Sequence, residues 1–277
     1  MPEDRSILTR AVGAADRVQA YGPAPHQVVE LRFAADGGAR ERSAGGTAQA
    51  RPLVLLVHGG FWRPEYDRAH LRPLAEALAA GGWTTALIEY ARDPGRPDQT
   101  VGDIELALRR VPALANGHGG RVIAVGHSAG GQLVLWAAAD RALTAPATGP
   151  GPASATSRVP STDGHPTPSA VLALGAVADL GLADRLNLDE GAVRAFIGAD
   201  PATRPDLDPR RLPPQVPVTL IHGSDDAIVP PTLSESYADA YPGVRLVSVE
   251  GAGHYALIDP AHRSFAALLA ELKRLAV

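Results

Sequence analysis

Ser128 lies in "VIAVGHSAGGQ" (122–132), a G-x-S-x-G pattern between an apolar run and a helical one. A serine on a sharp strand-to-helix turn presents its hydroxyl clear of both elements. The residues flanking it must be small because strand and helix converge there, which gives Gly126 and Gly130 a reason. A hydroxyl is a weak nucleophile and needs a base, and the base needs a group to orient it. His254, in "VEGAGHYALID" (249–259), sits in a glycine-flanked loop just after an apolar run. That is a poor place for core packing and a good one for reaching a serine. "IHGSDDAIVPP" (221–231) offers two adjacent carboxylates, Asp225 and Asp226, either of which could orient an imidazole. "LLVHGGFWRP" (55–64) ends an apolar run in two glycines and two large aromatics. Gly59 and Gly60 leave main-chain amides open to close approach.

The elements that must position these residues follow from periodicity. Short β-type runs fall at 28–33, 53–58, 84–90, 121–127, 170–177, 216–223 and 244–251. Helical patterns fall at 65–82, 100–115, 129–143, 189–198, 232–241 and 259–276. "LVLLVH" (53–58) is continuously apolar, as in a strand covered on both faces. The alternation predicts a mostly parallel sheet with helices on both faces. The segment 144–169 is rich in Pro, Ser, Thr and Gly and reads as a flexible surface insertion. A Pro-rich loop at 198–215 reads mainly as a connection.

Composition narrows the partners. The 277 residues are 45% hydrophobic and 20% charged, enough for a sizeable core. A net charge of −4 gives no reason to expect nucleic acid or an anionic membrane. Zero cysteines exclude disulfides, thiolate metal sites and a Cys nucleophile. There is no signal-peptide pattern and no run of membrane-spanning length, so a cytoplasmic protein, monomer or homodimer, is expected. No His/carboxylate spacing suits a metal, so no metal or cofactor is expected. His26, His70, His118, His165 and His262 read as surface or loop residues, and His222 as the end of a strand.

Taken together, "HGGFW", "GHSAGG", "HGSDDAIVP" and "GAGH" resemble the α/β-hydrolase superfamily. The nearest likeness is to its esterase and kynurenine formamidase branch, marked by His-Gly-Gly-aromatic-Trp. The resemblance runs from residue 21 to the final helix. It implies an α/β-hydrolase fold of about eight strands in one domain (1–277) with little or no lid. An N-terminal extension (1–27) and a cap-like segment (178–215) would be its additions. In this family the triad follows the chain order Ser, acid, His. The H-G-x-x-D-x-x-V-P spacing selects Asp226 over Asp225, which is left as a solvated loop carboxylate or a cap. Asp179, in "GAVADL", is a rival acid. Ser128, Asp226 and His254 are therefore the expected catalytic residues. The resemblance further implies an oxyanion hole built from the N–H of Ala129 and that of Gly60 or Phe61, with His58 tying down the loop. Phe61, Trp62 and His127 are expected to wall the substrate pocket, with His127 packing rather than reacting. The activity implied is hydrolysis of a small-acyl carboxylic ester or amide through an acyl-enzyme. The alternative is a kynurenine formamidase acting on N-formylkynurenine, and a third reading is a catalytically silent ligand-binding homologue.

Overall fold

The computed structural model describes residues 3–35, 40–42, 48–115, 118, 120–139 and 168–277. All but the last two residues of the expected insertion 144–169 lie outside the described residues. In chain order the strands are β1 (Arg17–Ala20), β2 (Val28–Arg32), β3 (Arg40–Arg42), β4 (Ala48–Ala50), β5 (Leu53–Val57), β6 (Thr85–Ile88), β7 (Val122–His127), β8 (Ala170–Leu174), β9 (Val218–Gly223) and β10 (Arg245–Val249). The α-helices are α1 (Arg72–Ala80), α2 (Pro97–Arg110), α3 (Ala129–Ala139), α4 (Leu180–Arg185), α5 (Ala192–Ile197), α6 (Thr232–Ala240) and α7 (Ser264–Leu275).

Eight strands form one sheet in the order β1-β2-β6-β5-β7-β8-β9-β10, and β3 pairs with β4 apart from it. Within the eight-stranded sheet only β2 runs against its neighbours and the other pairs are parallel, while β3 and β4 are antiparallel. The mostly parallel eight-stranded sheet is the one expected. β1 was not: "RVQA" is polar and fully exposed, an edge strand inside the segment read as an N-terminal extension.

Alternate residues of β5 feed the two faces. Leu53, Leu55 and Val57 join a core with α2 and α3, while Val54 and Leu56 join another with α1 and α7. This is why β5 is apolar at every position. α3 is apolar nearly all round because it lies across the sheet, with most of its residues buried. Boundaries shift where the backbone turns. The helix expected from 65 begins at Arg72 after a 3-10 turn, and the one expected from 189 begins at Ala192. Asn187, Asp189 and Glu190 just before it have φ of 50°, 46° and 55°, which a helix cannot contain. α4 was missed; Asp179 caps it by accepting the Leu182 N–H at 2.7 Å. Among the described residues no helix is long and apolar enough to cross a membrane.

Strand order reverses at β5, whose partners β6 and β7 carry the chain to opposite sides. In an open α/β sheet the crevice at such a point, beyond the carboxyl ends of the strands, is where ligands bind. The loop after β5 begins at His58, and the turn after β7 holds Ser128. The turn depends on missing side chains. A Cβ on Gly130 would lie 2.7 Å from the Val57 carbonyl carbon, and one on Gly126 2.5 Å from that of Gly130. By contrast, a Cβ on Gly102, inside α2, would meet nothing within 4 Å. Gly130→Ala should therefore cost about 1–3 kcal/mol or more through forced overlap. Gly102→Ala should stabilise by about 0.5–1 kcal/mol through helix propensity. Urea midpoints of the two variants, with the m-value unchanged, test this opposition.

Candidate active site

Ser128 stands between β7 and α3 with φ of 58°, a left-handed conformation that costs a non-glycine residue about 1–3 kcal/mol. Its N–H is held by the Leu174 carbonyl at 2.9 Å. Its Cβ sits where a side chain on Gly59 would go, 2.7 Å from that position. The loop after β5 is thus pressed against the serine. Ala129 opens α3, where helical geometry leaves the N–H without an intrahelical partner.

The loop itself is strained. Gly60, Phe61 and Trp62 have φ of 105°, 49° and 55° in succession. Several contacts hold it. His58 is buried, with Nδ1 2.8 Å from the Gly59 carbonyl and Nε2 2.9 Å from Glu89 Oε1. Its ring stacks on Tyr90, whose hydroxyl donates to the His58 carbonyl at 2.7 Å. Burial pushes the Glu89 carboxyl up, but hydrogen bonding and charge from His58, with Arg92, outweigh it and hold the group well below the usual range. Trp62 is 2% exposed; its ring stacks on Phe196 at 4.5 Å and its N–H donates to Gln132. Phe61 is half-buried, its ring 6.5 Å from that of Trp62.

Asp226 and His254 meet at the ends of β9 and β10. His254 Nδ1 lies 2.7 Å from Asp226 Oδ2, and Asp226 Oδ1 accepts the N–H groups of Ile228 and Val229 at 3.0 and 2.8 Å. His222 Nε2 is a second neighbour of Oδ2 at 3.3 Å. Burial pushes the Asp226 carboxyl up, yet the bonds from His222, His254 and Val229 prevail and keep it well below the usual range. Gly175, with φ of 51°, makes room for the pair: a Cβ there would lie 3.1 Å from both Asp226 Oδ2 and His254 Nδ1. Among the described residues no hydrogen bond joins the Ser128 hydroxyl to His254 Nε2.

The two other acids lie elsewhere. Asp225 is exposed and accepts from Ser224. Asp179 caps α4 and accepts from Ser236 at 2.6 Å. His127 is buried beside His254, ring centroids 4.5 Å apart, and its Nε2 meets the His254 carbonyl at 3.2 Å.

Of the histidines read as surface or loop residues, His26 and His118 do lie in loops, while His70 sits in the 3-10 turn before α1. His118 is buried against the Pro112 carbonyl, and His26 is half-buried against Asp103. His70 lies between His58 and His127, with ring centroids 5.7 and 6.3 Å away. Nothing in "RAHL" marks it, because its neighbours come from distant strand ends. Glu89 could have been found: a carboxylate inside the apolar run "TALIEY" demands a buried partner. Among the described residues no cluster of His, Cys, Asp or Glu could hold a metal ion.

The sequence profile of the Alpha/beta hydrolase family matches residues 54–267. The chain belongs to that family. No curated protein matches it in sequence. A truncated carbohydrate esterase from gut microbiota has the same fold, with a TM-score of 0.73 at 17% identity, covering 96% of this chain and 99% of that one. Esterase B of Lactobacillus rhamnosis gives 0.68 at 20%, covering 95% and 86%. The propionate-bound esterase of the Planctomycetes species Thermogutta terrifontis gives 0.62 at 21%, covering 93% and 91%.

Burial, with the nearby His58, pushes the His70 pKa down from 6.5 to about 3. Burial, with His254 and His70, likewise pushes His127 well below its ordinary value. The unfolded chain protonates both near pH 6.5 while the folded chain keeps them neutral. Stability is thus fully present above that pH and falls as pH drops toward 3. The thermal midpoint should decline from neutral pH to pH 5, and His70→Gln should flatten the decline. An unchanged slope in the variant would remove His70 from this account.

Proposed function

We propose that the chain is a serine hydrolase that cleaves small-acyl carboxylic esters or amides through Ser128, His254 and Asp226. The observation that carries the reading is the 2.7 Å contact between His254 Nδ1 and Asp226 Oδ2, taken with a serine held at φ of 58° between β7 and α3. Ser128 Oγ attacks the substrate carbonyl as His254 Nε2 takes its proton. Asp226 fixes the imidazole tautomer with the Nδ1 proton facing the carboxylate, and stabilises the imidazolium that forms. The Ala129 N–H and an amide of the Gly60–Phe61 turn meet the developing oxyanion. His254 then protonates the leaving group, and water activated by the same residue frees the acyl group.

Two observations favour a small acyl group on an ester. The connections around the site are short apart from 178–215, and the Thermogutta esterase of the same fold holds propionate. The formamidase alternative rests on the aromatic pair after His58-Gly59-Gly60. Trp62 is spent on Phe196 and Gln132, which leaves Phe61 as the member of that pair with exposed surface.

The test compares kcat/KM on p-nitrophenyl acetate and N-formylkynurenine, with fluorophosphonate labelling of the wild type. Ser128→Ala and His254→Ala should each lose about 10³-fold or more in kcat on the preferred substrate, and Ser128→Ala should no longer label. A much higher kcat/KM on the formamide would move the reading to kynurenine formamidase. Full activity in Ser128→Ala would overturn the mechanism. A folded wild type that neither labels nor turns over would point to a silent binding homologue.

A further inference from the structure

Residues 3–10 lie across the loop that carries His254, fastened at several points. Glu3 Oε1 accepts the backbone N–H of His254. The Glu3 carboxylate reaches that N–H because residue 253 is glycine: a Cβ there would fall 2.7 Å from Glu3 Oε1. The Arg5 guanidinium stands 5.8 Å from the centre of the Tyr255 ring. Ile7 is 2% exposed and packs in the core that includes Leu71 and Leu257. Arg10 holds both oxygens of Asp259 at 2.5 and 2.8 Å. The attachments therefore bracket the stretch 254–259, whose own structure is a single 3-10 turn, Tyr255–Ile258, with no side-chain cap from His254.

The stretch is also held by the buried Leu257 and Ile258 and by the Ser264 hydroxyl on the Ala256 carbonyl, but none of these reaches the His254 N–H. Asp226 holds the His254 ring, and His127 meets its carbonyl, but its N–H depends on Glu3, which is 251 residues away in sequence. A carboxylate bond to a backbone N–H is charge-assisted and short, so it fixes position as well as adding stability. A base displaced by about 1 Å can lose about a hundredfold in rate. Given the reading of His254 as the catalytic base, we propose that Glu3 is a positioning residue. Through the 254 amide it sets the approach of His254 Nε2 to Ser128, and the segment 3–10 is part of the working site.

The test uses the full chain. Glu3→Ala, Glu3→Gln and Arg10→Gln are compared with wild type for kcat and KM on p-nitrophenyl acetate, for the rate constant of fluorophosphonate labelling, and for thermal midpoint. Glu3→Ala should lower kcat and the labelling rate by about tenfold to a hundredfold, with KM within about twofold. Glu3→Gln keeps an oxygen to accept the N–H and should recover most of the loss. Arg10→Gln frees the same segment at its other end and should lower kcat in the same direction, which keeps the test available if a Glu3 variant does not fold. A kcat within about twofold of wild type in Glu3→Ala or, failing that, in Arg10→Gln would overturn the proposal. So would a Gln variant no better than Ala, or a lowered thermal midpoint with kcat untouched. Loss of activity in Ser128→Ala alongside full activity in Glu3→Ala would sink only this inference, whereas activity in Ser128→Ala would sink the triad itself.

Discussion

The closeness of α3 to the end of β5 is the constraint on which the site depends. Gly130 brings its Cα against the carbonyls of Val57 and His58, and Gly126 brings β7 under Gly130. No side chain fits at either point. With the helix that close, the chain has no room for an ordinary turn, and Ser128 takes the left-handed conformation. The cost falls on one residue and is met by the packing of a helix that is apolar on nearly every side. The same contact seats Gly59 against Ser128, so the serine and the glycine loop are positioned by one piece of geometry rather than two.

Electrostatics near this point follow a simple division. Four imidazoles run ring to ring from His58 through His70 and His127 to His254. The two at the ends have carboxylate partners, Glu89 and Asp226, both buried. The two in the middle have none among the described residues, and burial keeps them neutral. A row of like charges at these spacings would repel strongly in a poorly solvated setting. Confining carboxylates to the ends leaves the two middle rings with no partner to stabilise a positive charge.

The parts legible in the sequence were those with a local signature. β5 and β8 announce themselves by unbroken apolar runs and β7 and β9 by largely apolar ones, and the glycine spacing around Ser128 encodes the turn. The H-G-x-x-D spacing separates Asp226 from its neighbour because one points inward to His254 and the other lies in solvent. What escaped was set by distant partners. β1 is a polar edge strand defined only by pairing with β2. His70 and Glu3 gain their surroundings from chain segments far away in sequence. Gly175 is one glycine among 29 until its position under the Asp226–His254 pair is seen.

The segment 178–215 shows how two strained stretches can support each other. Phe61 and Trp62 are left-handed on one side, and Asn187, Asp189 and Glu190 on the other. Strain of this kind persists only where surroundings over-determine it. Here they do so mutually: Arg63 binds the Asp189 side chain and its carbonyl, and Trp62 stacks on Phe196 of α5. Gln132 closes the circuit by accepting from Trp62 and donating to the Leu207 carbonyl. Leu180, Val193 and Phe196 are buried in the main core, so the segment is anchored rather than laid over the surface. Its contacts with Arg63 and Trp62 therefore brace the loop after β5 from outside the sheet's own strands.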